Sequence, residues 1–321
     1  MGQSAAWPWL LGTALLLSQC GLPDPDPKIA SVKSEVELIV LGTTQDAGSP
    51  QIGCTRSCCA QLSPEEAARR MVVSLGLIDR SQGRKYMIEA TPDLPAQLDA
   101  LNKLDENKGG KLLDGLFLTH AHIGHYSGLM YLGKEAMDAQ QMPVHVMPRM
   151  ASFLSSNGPW EQLVERRNIR LEELEEGQWK ELSEHLSIRS FLVPHRDEYS
   201  ETVGFEISGP NKKVLFIPDI DKWEKWSKDI AQEIKAVDLA FVDATFFSGA
   251  ELPNRDMSEI PHPSVRESMD RLSVLSEEDR RKVHFIHFNH TNPLLKTGSP
   301  ELELVWEMGF QVAQNGSVHP I

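Results

Sequence analysis

Gly115-Leu116-Phe117-Leu118-Thr119-His120-Ala121-His122-Ile123-Gly124-His125 is the stretch on which the reading of the fold depends. Its first four residues form an apolar run of the length expected for a short buried strand. Alternation at the end of that strand sends His120 and His122 to the same side. The turn that follows can bring His125 back toward them. Imidazole is a common ligand for zinc and for several other transition metals. A lone histidine more often satisfies an ordinary hydrogen bond, but three within six residues can close most of a coordination shell. The stretch therefore predicts a strand that delivers a metal-binding loop.

Short apolar runs rich in Val, Ile and Phe recur on both sides of it. Strands are predicted at Val36–Leu41, Met71–Ile78, Tyr86–Ile88, Gly115–Leu118, Val144–Met147, Ser187–Val193, Val203–Ile207, Lys213–Ile217, Leu239–Val242 and Val283–Phe288. Helices are predicted at Leu94–Leu104, Ser127–Ala139, Trp223–Ile234, Ser264–Leu272 and Pro300–Met308. The strands fall into two series with helices between and after them. That pattern predicts two packed sheets with helices outside, a layered α/β arrangement. No linker composition or internal repeat interrupts residues 35–321, so one catalytic domain is expected there.

Residues 1–20 read as a separate export segment. Trp7 to Leu17 is apolar yet too short to span a bilayer comfortably, and it runs into Leu17-Ser18-Gln19-Cys20. This resembles a bacterial lipoprotein signal, with Cys20 as the lipidated residue. Residues 21–34 open with three Pro and two Asp between Gly21 and Lys28, and read as an extended tether. The expected location is the cell envelope, lipid-anchored on its periplasmic face, with membrane contact through this segment alone. Acidic residues outnumber basic ones 46 to 32, a formal charge of −14. A phosphate-tracking surface needs clustered Lys and Arg, so a nucleic-acid partner is not expected and a small-molecule substrate is.

After Cys20 come Cys54, Cys58 and Cys59. Adjacent cysteines are poorly placed to bridge each other. Two readings stay open: a thiolate metal site, or one local disulfide with a spare buried thiol.

The His120–His125 segment resembles the His-X-His-X-Asp-His signature of the metallo-β-lactamase superfamily. Phe191-Leu192-Val193-Pro194-His195 resembles the next metal histidine of that superfamily, Leu215-Phe216-Ile217-Pro218-Asp219 its bridging aspartate, and Phe285-Ile286-His287-Phe288 its last histidine. The resemblance covers about residues 36–290 and implies a four-layered αββα sandwich of the metallo-β-lactamase type. It implies that His120, His122 and His195 hold a first metal, that Asp219 bridges, and that His125 and His287 help hold a second. Gly124 departs from the signature, because it stands where the superfamily has an aspartate on the second metal. Either that ion binds weakly, or another residue supplies the ligand, with Asp46 and His290 as candidates. The remaining alternative is a working mononuclear site, with iron or manganese in place of zinc. An aspartate introduced at 124 is expected to tighten a second ion, unless another side chain fills that pocket.

Leu239-Ala240-Phe241-Val242-Asp243-Ala244-Thr245-Phe246 resembles the His-Glu-Ala-Thr motif of the ribonuclease Z branch, and Pro261-His262-Pro263-Ser264 falls where that branch has His-Ser-Thr. The resemblance implies His262 as general acid, steadied by Asp243. Asp46-Ala47-Gly48-Ser49-Pro50-Gln51-Ile52-Gly53-Cys54, with Cys58 and Cys59, resembles the N-terminal cysteine region of the pyrroloquinoline quinone biosynthesis protein B family. Asn254-Arg255-Asp256-Met257 and His287-Phe288-Asn289-His290-Thr291-Asn292-Pro293 are also similar to that family. There the cysteines hold a structural zinc, which supports a thiolate site here. Three histidines in the main motif and an export signal set this chain apart from it.

The leading expectation is a hydrolase that activates water with zinc, one ion or two, to cleave an ester, amide or phosphodiester bond. Asp219 would orient the attacking water and His262 would protonate the leaving group. The alternatives are an oxidative reaction at iron and a non-catalytic, metal-bearing lipoprotein.

Overall fold

The structure, a computed structural model, describes residue 1, residues 35–105 and residues 111–321. The expected tether and, Met1 apart, the expected export segment with Cys20 lie outside the described residues. Among the described residues no helix is long and apolar enough to cross a membrane.

Among the described residues, fourteen strands carry the fold: Val36–Gly42 (β1), Ser74–Asp79 (β2), Arg84–Ile88 (β3), Gly115–Phe117 (β4), Met142–Val146 (β5), Ile169–Glu173 (β6), Lys180–Glu181 (β7), Ser187–Leu192 (β8), Val203–Ser208 (β9), Lys213–Ile217 (β10), Leu239–Asp243 (β11), Val283–Ile286 (β12), Gln311–Val312 (β13) and Val318–Pro320 (β14). They form two seven-stranded sheets, ordered β14-β1-β2-β3-β4-β5-β6 and β13-β12-β11-β10-β9-β8-β7. Central strands here are apolar at nearly every position, which requires cover on both faces. In β1, Val36, Leu38 and Val40 join Phe205, Phe216 and Phe241 between the sheets. Ile39 and Leu41 point the other way, onto Leu94 and Leu101 of the helix Leu94–Leu104. In β10, Val214 and Phe216 face the inner core while Leu215 and Ile217 meet Trp223, Ile230 and Val265 outside. Three apolar layers thus separate four structural ones, the αββα sandwich of the metallo-β-lactamase type. Each fully buried side chain of this size contributes about 1.5–3 kcal/mol.

Both sheets change from antiparallel to parallel pairing along their order. β1, β2 and β3 pair antiparallel and β3 to β6 parallel. Likewise β8, β9 and β10 pair antiparallel and β10 to β13 parallel. It follows that β1, β3 and β4 share one direction in their sheet, and β8, β10, β11 and β12 share one in theirs. Their C-terminal ends deliver the site residues to one edge of the sandwich.

Several predicted elements are redrawn. The Ser127–Ala139 helix is a 3-10 turn at Ser127–Leu132 followed by irregular chain. Gly128 packs so tightly on the Ala90–Thr91 backbone that a Cβ there would lie 2.0 Å from the Thr91 carbonyl oxygen. The Trp223–Ile234 helix splits into a turn at Trp223–Lys225 and a helix at Ile230–Lys235 capped by Asp229. The break lets Trp223 donate to Ser268 Oγ at 2.8 Å and Trp226 donate to the Leu192 carbonyl at 2.9 Å. The predicted Met71–Ile78 strand begins at Ser74, because Met71 accepts the amides of Thr43 and Thr44 instead of a strand partner. The helix Pro148–Ser156 and the short strands β6, β7, β13 and β14 carried too weak a periodicity to be predicted.

Candidate metal centre

Strand ends deliver six imidazoles and three carboxylates to one place. His120 and His122 follow β4, with His125 in the turn of helix beyond them. His195 follows β8, Asp219 follows β10, Asp243 ends β11 and His287 follows β12. His262 precedes the helix Val265–Leu272, and Asp46 lies in the loop after β1. One ligand atom each from His120, His122, His195 and Asp219 lies within 4.8 Å of the others. The same holds for Asp46, His125, Asp219 and His287, and for Asp219, Asp243, His262 and His287. Asp219 belongs to all three groups. Its Oδ2 lies 3.3 Å from His120 Nε2, 3.2 Å from His195 Nε2 and 3.8 Å from His125 Nε2.

The hydrogen bonds behind the rings decide which nitrogen of each carries the proton. Thr119 Oγ1 donates its single hydrogen to Glu89 at 2.5 Å, so at 2.8 Å it accepts from His120 Nδ1. Glu89 also takes the Nδ1 proton of His125 at 3.1 Å. Across the site, Thr245 Oγ1 donates to Asp243 at 2.7 Å and accepts from His287 Nδ1 at 2.9 Å. In all three rings the Nε2 lone pair is left to face inward, the arrangement that metal-ligating histidines use. His122 is turned the other way: Nε2 meets Glu198 at 3.4 Å and Nδ1 faces the cluster.

This donor set fits a cation better than it fits protons. His120 Nε2 and His122 Nδ1 confront each other at 2.8 Å, two inward nitrogens with their other nitrogens already partnered. Among the described residues, His195 Nε2 and His287 Nε2 are buried with no hydrogen-bond partner of good geometry. Buried polar atoms rarely go unpaired in folded proteins. Nitrogen and carboxylate oxygen donors suit zinc, iron and manganese alike. Backbone strain accompanies the geometry: Glu89 and His287 adopt φ of 78° and 69°, left-handed conformations that cost non-glycine residues about 1–3 kcal/mol each.

Electrostatics in the cation-free cluster follow from the same contacts. Burial pushes the Asp219 carboxyl up, but His195, His262 and His287 outweigh it and hold Asp219 well below the usual range. Burial lowers His287, while Asp219, Asp243 and Asp46 lift it to about 9. Burial also lowers His125, and Glu89 and Asp46 raise it well above normal. His120 goes down, from burial and from the neighbouring His125. Cation uptake at pH 7 must then displace protons held by His125 and His287. Binding is expected to release protons and to tighten as pH rises toward about 9. Calorimetric titration in buffers of different ionisation heat reads this directly, and uptake with no proton release would contradict it.

His262 Nδ1 lies 2.9 Å from Asp243 Oδ2 and 3.1 Å from Asp219 Oδ1, so the predicted dyad is assembled. Burial lowers this imidazole, yet Asp243 and Asp219 carry it up to about 10.

His290 is not at the second cluster. Its ring joins Cys54, Cys58 and Cys59, with ligand atoms within 4.8 Å of one another. Asn289 Oδ1 engages its Nδ1 at 3.1 Å, leaving Nε2 for the sulfurs. The three cysteines are free thiols, so the disulfide alternative falls and a Cys₃His donor set replaces it. Burial drives the Cys59 thiol up to about 11. An aspartate at 124 finds no room either, since a Cβ on Gly124 would lie 2.5 Å from Asp46 Cα.

Sequence reading missed Glu89, Thr119 and Thr245. Glu89 had a usable signal: a carboxylate directly after the apolar run Tyr86–Ile88, the same placement as Asp219 and Asp243. Thr245 stands at the Thr of the stretch that resembles His-Glu-Ala-Thr but was given no role, and Thr119 had no signal, because its role lies in relaying a proton assignment.

Residues 84–288, more than half of the chain, match the beta-lactamase superfamily domain family. Coenzyme PQQ synthesis protein B of Rhizobium meliloti (strain 1021) is 26% identical over 310 residues, covering 88% of this chain and 97% of the relative. Among solved structures, zinc-bound PqqB from Methylobacterium extorquens superposes with a TM-score of 0.74 at 20% identity, covering 89% of this chain and 100% of that one. A diphosphatase of the PhnP family gives 0.63 at 19% identity, covering 88% and 96%.

Proposed function

The chain belongs to the metallo-β-lactamase superfamily, and from that premise we propose that it is a metal-dependent hydrolase acting on an ester, amide or phosphodiester bond of a small molecule. The observation that carries the reading is the His262–Asp243 pair set against Asp219, at the rim of a donor cluster. His120, His122, His195 and Asp219 would hold a divalent cation, zinc foremost, which when bound would supply Lewis acidity to the site.

The chain's own residues supply the rest. Asp219, held as a carboxylate, orients the attacking water. Asp243 fixes the His262 ring through Nδ1. His262 keeps its proton through neutral pH and can pass it to a departing oxygen or nitrogen. Glu89 and Thr119 hold His120 and His125 in their ligating tautomers. The negative charge of the chain favours small substrates over polyanions. A separate zinc at Cys54, Cys58, Cys59 and His290 has a structural role in this reading.

His262→Ala is expected to keep the metal and lower turnover by roughly 10²–10⁴-fold. Substrates with good leaving groups should lose less, because they need no proton. Equal losses across a leaving-group series would remove His262 from the proton-donor role. Similarity to coenzyme PQQ synthesis protein B favours a second reading, oxidation at a redox-active metal, which the same nitrogen and oxygen donors could hold. Metal analysis of protein purified without chelators separates the two: iron with no turnover on ester or phosphodiester panels would favour oxidation.

A further inference from the structure

Gly124 is the one position in the metal-binding loop with no side chain to offer, and the space beside it is full. A Cβ built there would stand 2.5 Å from Asp46 Cα and 2.7 Å from Asp46 Cβ and Cγ. The carboxylate of Asp46 therefore reaches the cluster through the volume that a side chain at 124 would use. Asp46 Oδ1 lies 3.2 Å from His125 Nε2 and 3.5 Å from His287 Nε2. The latter nitrogen belongs to a residue only 1% exposed and, among the described residues, has no hydrogen-bond partner of good geometry. Asp219 Oδ2 faces the same pair at 3.8 and 4.0 Å while also meeting His120 and His195.

We propose that Asp46 is the anionic ligand of a second divalent transition-metal site with His125, Asp219 and His287, that Asp219 is shared with the first site, and that residue 124 is glycine to admit Asp46. The proposal rests on the metal-dependent reading above. The β1 loop is built to hold such a ligand still. Thr44 bridges to both Val72 and Phe288, and Gln45 N donates to the Phe288 carbonyl at 2.9 Å. Gln45 in turn accepts from Ala47 N through its side chain at 2.9 Å and from Gly48 N through its carbonyl at 2.8 Å. Burial alone would push the Asp46 carboxyl up; His125 and His287 hold it well below the usual range, in its ligating form.

Cobalt(II) titration of the metal-free protein tests this without any substrate. Among the described residues only the cysteine cluster adds sulfur-to-metal charge-transfer bands, so ions bound by nitrogen and oxygen are counted apart from it. The wild type should take up two such ions. Asp46→Ala and the shape-preserving Asp46→Asn should take up one tightly, the second weakened about a hundredfold or more, since even outer partners of a ligand cost about 10–100-fold. Gly124→Ala should weaken the same ion, through displacement of Asp46 by a single methyl. A wild type with one such ion, Asp46 variants that keep both, or an unchanged second affinity in Gly124→Ala would each overturn the proposal. Failure of the hydrolytic reading would look different: two ions bound, and no turnover on any panel.

Discussion

Asp219→Asn is expected to strip the nitrogen-and-oxygen centre of its cations and to reduce turnover by about 10³–10⁴-fold, several kcal/mol at 1.36 kcal/mol per decade. The reason is its position rather than its charge alone. Its carboxylate faces His120, His195, His125 and His287 at 4.0 Å or less, and among the described residues it is the one member common to both ligand groups. An amide is a weaker donor, and it leaves protonated histidines buried with less compensation. Removing one partner from a buried charge pair costs about 3–5 kcal/mol, so the metal-free variant should also melt earlier. His120→Ala is the companion variant, expected to empty the first site while leaving Asp219 in place. Metal content by mass spectrometry, with circular dichroism as a control for folding, reads both. Wild-type stoichiometry in either variant would refute the assignment of these residues as ligands.

Cys54→Ser should act on stability and leave the chemistry alone. Cys54 is only partly buried, so the substitution opens no core cavity and its effect isolates metal binding. At free zinc a thousandfold above the dissociation constant, a bound ion stabilises the folded state by about 4 kcal/mol. For a domain of this size that corresponds to a fall in Tm of about 10 °C. One equivalent of zinc should be lost, and turnover of the folded fraction should hold. Unchanged zinc content together with an unchanged Tm would reduce the cluster to an accident of packing.

What could be read from the sequence divides along physical lines. Strand-borne ligands were legible because each ends an apolar run, and the period-2 alternation of β4 and β10 fixes where their ends point. Two packed sheets with helices outside followed from two series of strands with helices between and after them, and the four-layered form from the family resemblance. Gly124 was legible as a gap, but what fills it was not, because the Asp46–Gly124 contact spans most of the first sheet. His290 was misassigned for the opposite reason. It lies three residues from His287, yet the left-handed turn at His287 redirects the chain toward the cysteines. The helix Trp223–Ile234 failed because two indoles found better burial by breaking it than by continuing it.

The two groups read as metal sites each take two members from either sheet: His120 and His122 against His195 and Asp219, Asp46 and His125 against Asp219 and His287. Neither half of the chain, made alone, would own either of these two sets. A cation held by these residues would be a rivet as much as a reagent, joining the two sheets at the open edge of the sandwich. Amide hydrogen exchange near Thr44, His125 and Phe288 should slow on loading, while the interior strands stay as protected as before.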